Sequence, residues 1–142
     1  MVISALVVGA TIVGRPIIGP GCTELGTIAD TVYISGAELP RGTAKFYCAR
    51  DRAGALVRFV LARTTDGQVH SVFDACGQCY RFHKGYMVAG DYLICRLCGN
   101  RYHLDEIQKG LASCVPAPMH TQVNGGTIEV KVAEIEKGRP LF

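Results

Sequence analysis

The chain has 142 residues, 49% of them hydrophobic, and its 15 basic and 12 acidic side chains give a formal net charge of +3. That is the size of one domain with enough apolar content for a core, and a modest, interspersed charge argues neither for nucleic acid nor for an anionic membrane surface as partner. Trp is absent, and 17 glycines among many Val, Ile, Thr and Tyr point to strands and turns rather than long helices.

Residues 2–13, VISALVVGATIV, form an apolar run too short for a membrane span, which needs about twenty residues. No basic segment precedes the run, so it matches a secretory signal peptide poorly, and its β-branched content favours a strand. The glycines of VVGATIVG resemble a dinucleotide-binding turn, but Gly14-Arg15-Pro16 and Gly19-Pro20-Gly21 break the helix which that motif requires. Residues 14–26 read as a Gly/Pro linker. The chain is therefore divided into an apolar strand arm with its linker, residues 1–26, and a β domain, residues 27–142. Such an arm folds back as an edge strand or adds to a neighbouring subunit's sheet, and the second route builds a homo-oligomer or a surface filament.

Within the β domain, a strand is expected in residues 27–39 around TIADTVYIS, followed by a meander of strands over residues 45–48, 55–64 and 68–73. Asp66-Gly67 makes the last hairpin turn and delivers Asp74 and Cys76 to the next segment. Residues 104–110 predict one or two helical turns with Leu104, Ile107 and Leu111 on one face. Residues 114–118 are stiff and extended. A half-buried strand then covers residues 127–135, where Ile128, Val130 and Val132 alternate with Glu129, Lys131 and Ala133.

The chemistry concentrates in residues 74–98, where Cys76/Cys79 and Cys95/Cys98 form two Cys-x-x-Cys pairs separated by fifteen residues. Two residues between thiols let one tight turn aim both sulfurs at a single ion, and a connection of this length brings two such turns together as a tetrahedral four-sulfur site. Spacing alone favours zinc, which replaces missing core in a small domain, over a redox-active iron or iron-sulfur centre. Disulfides within each pair fit less well, and a thioredoxin-like dithiol calls for one such pair beside a βαβ pattern.

The sequence has seven cysteines, which leaves Cys22, Cys48 and Cys114 outside the four-sulfur set, so at least one cannot pair within the chain. In an exported protein Cys22 and Cys48 are a candidate disulfide; in a cytosolic one all three are reduced and behave as small apolar residues.

Gly99, directly after Cys98, allows a turn with backbone amides aimed at a thiolate, whereas Gly77 lies inside the first pair, so the two halves need not match. Arg81, Lys84, Arg96 and Arg101 either stabilise a negative thiolate centre or are ordinary surface charge. His83, His103, Met119 and His120 offer further soft or borderline ligands, although neither knuckle is followed by the His of a covalent haem site. Asp74 and Asp91 are candidates for orienting ligands or a water. GxSxG, HExxH and phosphate-loop motifs are absent, and a closed four-sulfur site keeps no open position, so no enzyme is expected.

Taken together, FDACGQCY at residues 73–80, KGY at 84–86, GDYLICRLCGNRY at 90–102 and SCVPAP at 113–118 resemble an iron-sulfur-containing membrane-protein family linked to bacterial Ftr-type ferrous-iron transport. The resemblance implies metal ligation by Cys76, Cys79, Cys95 and Cys98 with Cys114 nearby, and leaves Cys22 and Cys48 as an even pair suited to a disulfide outside the cytoplasm. Ser113 stands where the family usually has glycine, Met119-His120 replaces an aliphatic position, and the family's membrane helices are missing.

The implied protein is the metal domain alone: an extracytoplasmic or cell-surface module holding an iron-sulfur cluster or other redox metal, with an electron-transfer or iron-transport protein as partner and no nucleic acid. The competing expectation is a structural zinc-ribbon β domain that self-assembles through its N-terminal strand. For the fold, the expectation is mainly β: a small β-sandwich or barrel-like domain carrying the two-knuckle, four-cysteine metal ribbon as an insertion.

Overall fold

The computed structural model describes residues 21–109 and 115–142. The expected apolar strand of residues 2–13 lies outside the described residues, as do Gly110, Leu111 and Cys114.

In chain order the strands are β1 Thr23–Leu25, β2 Thr31–Ser35, β3 Thr43–Arg50, β4 Leu56–Arg63, β5 Val69–Cys76, β6 Tyr86–Ala89, β7 Tyr92–Cys95, β8 Arg101–His103, β9 Pro116–Pro118, β10 Gln122–Asn124 and β11 Thr127–Lys131. One short helix, α1, spans Val132–Lys137. They form a five-stranded sheet in the order β1-β3-β4-β5-β9 and two three-stranded sheets, β10-β11-β2 and β6-β7-β8.

The five-stranded sheet is the middle layer, and β4 shows why. Its sequence LVRFVLAR is apolar on both faces, as expected of a strand covered on both sides. Val57, Phe59 and Leu61 join Tyr47 of β3 and Phe73 and Ala75 of β5 in one core, closed by Val32, Ile34, Ile128 and Val130 of the β10-β11-β2 sheet and by Ile135 of α1. The opposing Tyr47 and Phe59 rings stack at 5.9 Å, and Ile34 and Val32 lie across from Ile128 and Val130. Val60, Ala62 and Val72 point the other way, into a second core with Tyr86, Leu93, Leu104, Ile107, Cys76 and Cys95. The small β6-β7-β8 sheet covers that side.

A mainly β architecture is therefore present, but among the described residues the sheets stay open and no barrel closes. The middle sheet ends in the three-residue parallel strand β1 on one edge and in β9 on the other, where Pro116 and Pro118 lack the amides a further ladder would need.

Three element boundaries differ from the sequence reading, the first because residues 23–25, read there as linker, form β1 alongside β3. The strand expected in residues 27–39 begins only at Thr31, because Ala29 and Asp30 take left-handed φ values of 47° and 60° in a tight turn closed between Ile28 and Thr31. The strand expected over 127–135 stops at Lys131, where α1 begins. Val132 and Ile135, three apart, are both buried, and the intervening Ala133 and Glu134 are compatible with helix. At the helix end Gly138 packs so closely that a Cβ there would lie 2.3 Å from the Phe73 ring.

The expected turns between residues 104 and 110 appear as a 3-10 turn at Leu104–Glu106, capped by the His103 Nδ1, with Leu104 and Ile107 buried. A disulfide joins Cys22 to Cys48, with Cα atoms 5.7 Å apart, and pins the start of the described chain to β3.

Candidate metal centre

β5 brings the first knuckle into place. Its residues Val72, Asp74 and Cys76 share the face turned toward the second core, so the strand that supplies apolar packing also supplies a carboxylate and a sulfur. Asp74 is 2% exposed, and its Oδ1 accepts the Tyr86 amide at 2.7 Å. Gly85, at φ +66°, makes this approach feasible: a Cβ there would sit 2.7 Å from the same oxygen. The bond ties the start of β6 to the end of β5 and so sets the β6-β7 hairpin over the first knuckle, with Tyr86 directly opposite Cys95. Burial pushes the Asp74 carboxyl pKa up. The Tyr86 amide and the Arg58 and Arg96 guanidinium groups offset this in part, Arg58 Nε lying 4.0 Å from Oδ2.

Both Cys-x-x-Cys turns aim two backbone amides at their first sulfur. In the first, the Gln78 and Cys79 N–H groups donate to the Cys76 Sγ at 3.4 and 3.3 Å. In the second, the Leu97 and Cys98 amides donate to the Cys95 sulfur. Gly99, at φ +74°, closes that second turn by donating its own N–H to the Cys95 carbonyl at 2.9 Å, so it shapes the knuckle without touching a sulfur. The first turn runs instead into a 3-10 turn at Tyr80–Phe82 that ends on a left-handed His83. The expected asymmetry between the knuckles is present.

The two turns converge. The sulfurs of Cys76, Cys79 and Cys95 all lie within 4.8 Å of one another. The Cys98 thiol, on the exposed side, hydrogen-bonds with those of Cys79 and Cys95. Cys76 is disulfide-bonded in this structure, while Cys79, Cys95 and Cys98 are thiols, so Cys76 enters a metal site only after reduction.

The thiols differ in acidity. Burial and the neighbouring Cys95 and Cys98 sulfurs push Cys79 up to about 11. At Cys95 burial acts in the same direction, but the Cys98 and Leu97 amides and the Cys98 and Cys79 thiols outweigh it and bring its pKa below the ordinary thiol range. Of these two thiols, Cys95 is the one that ionises more readily.

The other residues singled out from the sequence are scattered. Arg96 donates to the Tyr86 carbonyl at 3.1 Å, and Arg101 stacks on the Tyr92 ring at 5.4 Å; Arg81 and Lys84 are exposed. Asp91 lies in the β6-β7 turn, at the end of the hairpin away from Cys95. His83 is exposed, and the His103 Nδ1 accepts the Asp105 amide. Met119 is buried in the first core, on the other face of the middle sheet from the sulfurs, and His120 is exposed.

Two residues that matter here were not recognised from sequence. In the sequence Gly85 stands out only as part of the KGY run at residues 84–86. Tyr86 is fully buried among the sulfurs and packs edge-on to Tyr102 with ring centroids 6.4 Å apart. Among the described residues its hydroxyl has no hydrogen-bond partner.

This donor set fits a thiolate-held metal. Four sulfurs come from two turns, each first sulfur receives two amides, and a buried hydroxyl has no hydrogen-bond partner among the described residues. The class so defined is an open-sheet β protein with a cysteine cluster between its middle sheet and a small covering sheet. Residues 39–142 match the family model described as membrane iron-sulfur containing protein, FtrD-like, and the chain belongs to that family. No curated protein matches it. Membership and the sulfur cluster together fit metal binding and iron handling. Among the described residues no helix is long and apolar enough to cross a membrane.

Proposed function

We propose that this chain is an extracytoplasmic metal-binding module that passes electrons or handles iron through a cysteine-ligated redox metal or iron-sulfur centre, and that it acts as a carrier rather than an enzyme. The observation that carries the reading is the convergence of Cys76, Cys79 and Cys95, with Cys98 beside them, in a family described by its iron-sulfur content. Once reduced, these four sulfurs would hold the metal, with Cys114 of the resemblance as a further candidate beside them. Bound iron would supply reversible one-electron chemistry. The protein's own contribution is the pair of amides on each first sulfur, which stabilise thiolate charge, and an exposed Cys98 edge through which a partner protein would approach.

The Cys22–Cys48 disulfide supports placement in an oxidising compartment. The basic residues Arg81, Lys84, Arg96 and Arg101 around the knuckles suit a protein partner with an acidic surface.

The test is metal analysis of purified protein together with its absorption spectrum. Thiolate-to-iron charge transfer gives visible absorption that reductant bleaches. A colourless protein with one zinc per chain would overturn the redox reading in favour of a structural ribbon, since filled-shell zinc gives no such bands.

A further inference from the structure

We infer that the Tyr86 hydroxyl is a hydrogen-bond donor to a sulfur of the metal centre held by the two knuckles. This rests on the metal-centre reading above and assigns it a residue outside the cysteine motifs. Tyr86 is 0% exposed and its hydroxyl has no hydrogen-bond partner among the described residues. A buried O–H without an acceptor is destabilising, and proteins seldom leave one unless something absent from the structure accepts it.

The surroundings identify the acceptor. Tyr86 is paired across the sheet with Cys95, shares its face, and packs in the same core as Cys76 and Cys95. Burial, and after it the charges of Cys95, Tyr102, Cys98 and Asp74, push the hydroxyl's pKa up, so two of the four groups that act on it are sulfurs. Thiolate and sulfide sulfurs are hydrogen-bond acceptors, and donors to them help set a centre's potential.

Tyr47 provides the internal comparison. Its hydroxyl is also buried and without a partner among the described residues, but it lies in the core on the other face of the middle sheet, away from the sulfurs. A phenylalanine would fill either ring's space, so only at Tyr86 does the hydroxyl have a metal centre to serve. Adding an electron raises the charge on the sulfurs and strengthens the bond, so Tyr86 favours the reduced state.

The experiment compares Tyr86→Phe and Tyr47→Phe with the parent in the metal-loaded full chain, by spectroelectrochemical titration. The expected result for Tyr86→Phe is a reduction potential lower by about 59 mV, a tenfold change in the ratio of reduced to oxidised centre for one electron. Tyr47→Phe keeps the parent potential. Equal potentials for Tyr86→Phe and the parent, or an equal shift in both variants, overturn the inference. Should the bound metal be redox-silent, the electron-carrier reading fails by itself, and competition for zinc against a chelator decides Tyr86. Tenfold weaker zinc binding by Tyr86→Phe alone supports the inference, and unchanged affinity overturns it.

Discussion

The two faces of the middle sheet are built from the same strands and serve different ends. Toward β2, β11 and α1, the side chains of β3, β4 and β5 meet an almost wholly apolar core of Tyr47, Phe59, Leu61, Phe73 and their partners. Toward β6-β7-β8, one residue further along the same strands, the core contains two cysteines, with the buried Asp74 on the same face of β5; each core also holds one tyrosine, Tyr47 or Tyr86, whose hydroxyl has no hydrogen-bond partner among the described residues.

Charge is uneven along the sequence. Residues 77–103, which carry the covering sheet and three of the knuckle sulfurs, contain four Lys or Arg and one Asp, an excess of three that equals the whole chain's net +3. The rest of the chain is balanced. The first face is packed for stability, whereas the second gives part of its packing over to sulfurs and a buried carboxylate, which their amide, guanidinium and thiol neighbours hold in place.

The largest expected effects come from one change on each face. Cys95→Ser should abolish stoichiometric metal binding, read by elemental analysis, while the far-UV circular dichroism of the β fold is retained. Phe59→Ala should do the reverse. It removes a fully buried ring and should lower unfolding stability by about 3–5 kcal/mol, with the metal content of the folded fraction unchanged. If Phe59→Ala empties the metal site in protein that is still folded, the two faces are not separable. Loading should also require reductant, because Cys76 is disulfide-bonded in this structure. Full loading of the oxidised protein would show that Cys76 is dispensable.

How much of this was legible in the sequence follows from the same division. The meander of β3, β4 and β5, its Asp66-Gly67 turn and the four sulfurs were readable, because period-two patterning and Cys-x-x-Cys spacing are local signals. The end of β11 was not. Val132 continues the alternation of Ile128 and Val130, and only the packing of Ile135 and the close approach of Gly138 to Phe73 turn the chain into α1. Asp74 was noticed for its nearness in sequence, but its bond to the Tyr86 amide joins residues twelve apart and needs the fold to exist first. Tyr86 carried no signal as a polar group, since tyrosine in a strand is ordinary.

Gly85 and Gly54 allow a finer test. Both have left-handed backbone, φ +66° and +83°, but a Cβ at Gly54 would meet nothing within 4 Å, whereas one at Gly85 would press on Asp74. Gly54→Ala should therefore show only the backbone penalty of about 1–2 kcal/mol. Gly85→Ala should add to that penalty a weakened metal affinity, as the β6-β7 hairpin shifts relative to the first knuckle. Equal metal affinities in the two variants would remove Gly85 and Asp74 from the description of the site.

The smallest effect concerns the two buried aspartates, whose acidities move in opposite directions. Asp74 has one amide and a guanidinium at 4.0 Å, and burial prevails. Asp51 is also buried, yet the Arg139 guanidinium in direct contact and the Ala55 and Ala53 amides outweigh burial and hold its carboxyl below the ordinary 3.8. A folded-state pKa below the unfolded one means that the unfolded chain binds the proton more tightly. Asp51 therefore contributes stability that is present above about pH 4 and is lost as pH falls through the lower folded value. Asp51→Asn removes that contribution. Its urea midpoint should lie below the parent's at neutral pH, and the gap should narrow as both are titrated below about pH 4. A gap that stays constant down to about pH 2 would mean that the Asn loses a hydrogen-bond geometry rather than a charge, and the contrast between the two aspartates would then rest on packing alone.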